Sequence, residues 1–120
     1  MEALQAGDLT ITSERDDAAL VLAWNGKSVE REPGKILAPY FGEALEEAAR
    51  DKLSLELRFA ALEHFNSSTI TALIALVQRA RAASVKLVFV YDKALRWQKL
   101  AFEALRALDK KDGLLELRSV

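Results

Sequence analysis

The stretch HFNSSTITALIALVQRARA, His64 to Ala82, decides how this chain is read. It begins with four small polar side chains, Asn66, Ser67, Ser68 and Thr69. Behind them Ile70, Leu73, Ile74 and Val77 recur at the spacing of one helix face, which predicts a helix from Ser67 to about Ala83. In front, Leu53, Leu55, Leu57 and Phe59 alternate with other residues, the period of a strand. Asn66 or Ser67 suits the N-cap of the helix. Several hydroxyls therefore gather where a strand hands over to a helix.

Outward from that junction the same two periods recur. Toward the N-terminus, Leu9 and Ile11 alternate with Thr10 and Thr12, a short strand closed by the charged turn Glu14 to Asp17. A second strand is expected from Ala19 to Trp24, ending at the turn signal Asn25-Gly26. Lys27 to Lys35 is polar, contains Pro33-Gly34 and reads as a loop. Pro39 fits the first turn of a helix whose apolar face is Phe41, Leu45, Ala48 and Ala49. Toward the C-terminus, KLVFVY (Lys86 to Tyr91) reads as a central strand covered on both faces. Asp92 is the expected N-cap of a third helix with Trp97, Ala101, Leu105 and Leu108 on one face. Asp112-Gly113 ends it, and Leu114, Leu115 and Leu117 form a last strand.

The order is β-β-α-β-α-β-α-β. It argues for an α/β fold, a mixed and mostly parallel sheet with helices packed on it. The first two strands, joined by a short turn, should be antiparallel. With 120 residues and no repeat or linker, one domain spanning 1–120 is expected.

Composition narrows the function. A formal net charge of −1 provides no global field for nucleic acid or an anionic membrane. The opening MEALQAGDLT shows no secretory signal, and no apolar run is long enough to cross a bilayer, so a cytoplasmic protein is expected. With no cysteine and a single histidine, His64, neither a zinc site nor a cysteine nucleophile can be assembled, and no metal or cofactor is expected. The five glycines are scattered and form neither GxGxxG nor the Walker pattern. A hydrolase built on Ser67 and His64 lacks both the GxSxG elbow and a third orienting group. Arg79, Arg81 and Lys86 could touch RNA, but cations at that end of a helix also complement its dipole. Trp97, beside Arg96 and Lys99, reads as core.

The hydroxyl run is what remains. It can be read as a helix cap with filler. It can also be read as a phosphorylation site, because a phosphate there would bring nearly two negative charges to a helix N-terminus that tolerates them. A partner packed on that helix end would be displaced while the fold survives.

At this point the residues resemble a family. The element order and the strand-FNSS-helix junction resemble the STAS (SpoIIAA-like) domain of anti-sigma-factor antagonists. There a strand ends in a D-S-S/A-G-L-type motif whose serine is phosphorylated. In this chain Asn66 stands at the aspartate, Ser67 at the phosphoacceptor and Thr69 at the usual glycine. The F-N-[ST]-S-[ST] signature of SiaC-like regulators is similar to Phe65 to Thr69. Asn25 to Pro33 and Pro39 to Ala48 are similar to the loop and helix that precede it in that group.

The resemblance implies a non-enzymatic partner-switching regulator. Ser67 would be the phosphoacceptor, with Ser68 and Thr69 as alternatives, and Asn66, Ser68, Thr69 and Ile70 would meet the partner. It implies a GHKL-type Ser/Thr protein kinase, a PP2C-type phosphatase, and a protein target, either an anti-sigma factor or a diguanylate cyclase. The competing expectation is a STAS-like small-molecule or lipid-handling module with an apolar pocket involving Phe41, Phe65, Trp97 and Phe102.

Overall fold

Alternation along each strand sorts its side chains to two faces, and only one face is apolar enough to hold helices. The computed structural model describes every residue from Met1 to Val120. Its elements are β1 (Leu4–Ala6), β2 (Leu9–Arg15), β3 (Ala19–Ser28), α1 (Pro33–Asp51), β4 (Ser54–Arg58), β5 (Leu62–Phe65), α2 (Ser67–Ala82), β6 (Leu87–Tyr91), α3 (Arg96–Leu105) and β7 (Leu115–Ser119). The strands line up as β1-β2-β3-β4-β6-β7, with β5 alongside the far end of β3. β1, β2 and β3 are antiparallel to one another in turn, while β3-β4, β3-β5, β4-β6 and β6-β7 are parallel. The mixed, mostly parallel α/β sheet and the antiparallel first pair are as expected. Two short strands, β1 and β5, were not.

One parity of strand residues, including Leu20, Leu22, Trp24, Leu55, Leu57, Leu87 and Phe89, joins Leu37, Phe41, Leu73, Leu76, Phe102 and Leu105 of the helices in a single core of 29 buried residues. Phe102 of α3 lies 4.7 Å from Phe59 and stacks on Tyr91 at 5.4 Å, so all three helices share the sheet's apolar face.

The opposite face carries no helix. In register across it run Val21, Glu56, Val88 and Glu116, and beside them Ala23, Arg58, Val90 and Arg118. Arg58 and Arg118 both reach Glu56, and Glu116 takes Arg118 at 2.9 Å and Lys86 at 3.1 Å. Val88 and Val90 are 3% and 6% exposed yet stand outside the core. The long charged stems cover them, as amphipathic side chains do. β6 is thus an interior strand buried along its whole length, as expected, but its cover is helical on one face and made of charged side chains on the other.

Two boundaries also moved. Asn25-Gly26 is no turn: β3 continues to Ser28, and Gly26, at φ +86°, is where its pairing shifts register. A side chain at Gly26 would collide with the Asp8 carbonyl. α1 starts at Pro33, well before Pro39, because Pro33 and Leu37 extend its buried face backward. Pro33 takes the opening position, where a missing N–H costs nothing. Pro39 lies within the helix, on its exposed side.

Asp92 does not cap α3. Its carboxylate accepts from Ala94 N–H in a turn, and α3 begins after Leu95 without a side-chain cap. α3 also makes a buried polar contact: Gln98, fully buried, donates to the Phe59 and Leu62 carbonyls and accepts from Asp92 N–H.

Candidate functional site

β5 delivers the chain to α2 through Phe65, whose buried ring meets Trp97 edge-on at 5.2 Å and Phe102 at 5.7 Å. The next residue, Asn66, is the N-cap of α2 in an extended conformation. Its Oδ1 accepts from Thr69 N–H at 2.9 Å, and its backbone N–H donates to the Ser28 carbonyl at 3.0 Å. Its Nδ2 donates to the Glu30 carbonyl at 2.9 Å. One amide side chain therefore ties the helix start to the loop after β3. An aspartate could accept from Thr69 but could not donate to Glu30, which gives the asparagine a physical reason.

Thr69 points inward. It is fully buried, its Oγ1 lies 2.7 Å from Ser28 Oγ, and it donates to Asn66 Oδ1 at 2.8 Å. One proton order satisfies all three: Ser28 O–H to Thr69 Oγ1, and Thr69 O–H to Asn66 Oδ1. Thr69, expected as an alternative phosphoacceptor and a partner contact, thus lies inside the protein with its hydroxyl engaged.

Ser67 and Ser68 are the opposite case. Both are exposed in the first turn of α2, and neither hydroxyl is engaged within the protein. Their backbone N–H groups lie where a helix supplies no partner. No acidic side chain occupies that turn. Asn66 and Ile70 are half-buried beside them. The buried stripe of α2 is Thr69, Leu73, Leu76, Val77 and Ala80, so Ile70 and Ile74 sit at its margin.

His64 is exposed on β5, its ring 6.0 Å from Trp97, and forms no hydrogen bond with Ser67. Of the four aromatics expected to line a pocket, Phe65 packs on both Trp97 and Phe102, and only Phe41 borders a cavity. The cations near the end of α2 are held within the protein: Arg79 by the Ala38 carbonyl, Arg81 by Asp112 and the Leu108 carbonyl, and Lys86 by Glu116. No cluster of side chains has metal-binding geometry, and no helix is long and apolar enough to cross a membrane.

Sequence reasoning missed Ser28 and the Glu30 carbonyl. A signal existed for the first. Counting by twos from Leu20 through Leu22 and Trp24 lands on Ser28, an inward position that needs a polar partner.

The fold has a solved counterpart. The chain is similar to the crystal structure of an anti-sigma factor antagonist from Mycobacterium paratuberculosis, with a TM-score of 0.61 at 18% identity, over 96% of this chain and 90% of that one. No family model matches the chain, and neither does any curated protein. The likeness establishes the architecture: a STAS-type α/β fold, as the resemblance of the junction implied.

Proposed function

We propose that this protein is a non-enzymatic partner-switching regulator controlled by phosphorylation of Ser67, with Ser68 as the alternative acceptor. The observation that carries the reading is a division of labour at the start of α2. Ser28, Asn66 and Thr69 hold the helix end from within, while Ser67 and Ser68 leave two unengaged hydroxyls outside it. A phosphate can be added there without removing a structural bond. It would gain from the helix dipole and the free amides, and would change the charge that a partner meets.

In this reading the modifying enzyme is a GHKL-type Ser/Thr protein kinase, and a PP2C-type phosphatase reverses it. The unmodified form, of SiaC-like character and acting in the cytoplasm, binds an anti-sigma factor or a diguanylate cyclase. Co-expression with a candidate GHKL kinase followed by phosphosite mapping tests it. The expected product carries one phosphate at Ser67 or Ser68. Phosphate found only elsewhere, or a modified protein that binds its target as well as the unmodified one, would sink the reading.

A further inference from the structure

α1 and α2 lie side by side and leave an open groove of about 350 Å³ between them. Its floor is made of small or apolar side chains, chiefly Ala38, Phe41, Ala72, Ala75 and Leu76. Ser68 and Thr71 stand on its rim.

The charges around it are lopsided. Arg31 and Arg79 both line the groove, and neither is paired with a carboxylate. The one acid there, Glu32, is held by Lys35 at 2.9 Å. Arg79 is fixed in place: Nη1 donates to the Ala38 carbonyl at 2.9 Å, and Nη2 lies over Gly42, where a side chain would crowd it. An apolar lining that also holds two arginines without carboxylate partners complements an apolar strip accompanied by carboxylates. It offers little to a nucleotide base, since the only neutral polar side chains are two rim hydroxyls, and that of Thr71 turns to the Ser67 carbonyl.

We propose that this groove seats an acidic, apolar-faced helix of the partner protein. Leucine-sized side chains rest on the alanines, and carboxylates meet Arg31 and Arg79. The small floor residues let the incoming backbone approach closely. A phosphate on Ser68 would enter the same groove rim and compete for the same positive field. That the occupant is a protein rests on the partner-switching reading above. The groove and its charge do not.

The test uses the isotopically labelled full chain and a stapled amphipathic peptide of about 14 residues, with leucines along one face and glutamates flanking them. A peptide with lysine in place of each glutamate is the control. The expected result is amide shifts confined to Arg31–Phe41 and Ser68–Arg79, and affinity for the glutamate peptide at least about tenfold above the control. Arg31→Glu and Ala75→Glu, both at exposed positions, should each weaken it about tenfold while leaving the spectrum of the free protein folded. Equal binding of the lysine peptide, shifts elsewhere, or shifts in the groove with GTP but not with the peptide would overturn the proposal. If the glutamate peptide binds and Ser68→Glu does not release it, the groove stands and phosphate control of it falls. If phosphorylation releases a native target but the peptide never enters the groove, the groove falls and the switch stands.

Discussion

The hydroxyls of Ser28 and Thr69 meet at 2.7 Å inside the protein, 41 residues apart in the chain. Through Asn66 that contact fixes the start of α2 to the end of β3. Thr69→Val should be the costlier single change, about 1–3 kcal/mol, because it leaves a buried Ser28 hydroxyl without its partner. Ser28→Ala should cost about 1 kcal/mol, since Thr69 keeps its bond to Asn66. Urea unfolding of both singles and the double should return a coupling of about 1 kcal/mol. Strict additivity would mean that the two hydroxyls do not support each other.

Asn66→Asp separates the two jobs of the amide. The carboxylate can still accept from Thr69 N–H and favours the helix dipole by about 0.3–1 kcal/mol. It also sets an acceptor against the Glu30 carbonyl, where a donor stood at 2.9 Å. The expected outcome is net destabilisation of about 1 kcal/mol, with faster amide exchange in residues 28–31 than in α2. A stabilised variant would show that the bond to Glu30 contributes nothing.

For the outer serines the prediction concerns binding. Ser67→Asp should leave the unfolding midpoint within about 1 kcal/mol of the parent, because an acid in the first turn suits the dipole. It should lower affinity for the target more than about tenfold. Ser67→Ala should keep the target bound even with kinase and ATP present. Calorimetric titration of each variant decides between these outcomes.

Gly26→Ala should be among the most damaging single changes, at more than about 2 kcal/mol. The position combines a left-handed backbone at φ +86° with a carbonyl, that of Asp8, in the space a side chain needs. Gly34→Ala, with open space around it and an ordinary helical backbone, should be neutral or slightly stabilising. Thermal midpoints of the two variants give the comparison.

Acid should weaken the fold through a few identifiable carboxylates. Ala18 and Ala19 N–H groups hold Asp16 below its ordinary value, Arg50 and then Arg15 do so for Asp51, Arg81 for Asp112, and Arg118 and Lys86 for Glu116. A carboxyl with a lowered folded pKa stabilises above its unfolded value, about 4, and loses that contribution as pH falls through the folded one. The melting temperature should therefore hold steady above about pH 5 and drop below about pH 4. Asp112→Asn should flatten that drop. A drop of unchanged steepness would remove the Arg81 pair from the explanation.

Periodicity made most of the scaffold legible in the sequence. The leucines of β4, the apolar run of β6 and the face of α2 each announce their element, because burial on a regular backbone repeats. What escaped were the places where a local signal is overruled by a distant one. Asn25-Gly26 has turn chemistry, but the Asp8 carbonyl uses the glycine to let β3 run on. Pro33-Gly34 reads as part of a loop and Pro39 as a helix start, yet the burial of Leu37 carries the helix back to Pro33. Val88 and Val90 look like a helix-facing row, but what covers them comes from β4 and β7, whose register no single strand reveals.

The site was legible as a run of hydroxyls but not in its sorting. Four polar residues in sequence do not say which faces in. Thr69 is two positions beyond Ser67, and its neighbour in space is Ser28, whose relevance depends on where β3 ends. The asparagine at 66 became intelligible only with the Glu30 carbonyl in view.

The helix-free side of the sheet gives the two surfaces of β6 different covers. Phe89 lies in a dry layer whose cohesion weakens on cooling. Val88 and Val90, one residue either side, sit under ion pairs that dissolved salt screens. Ionic strength therefore acts on one surface of these five residues and leaves the other untouched.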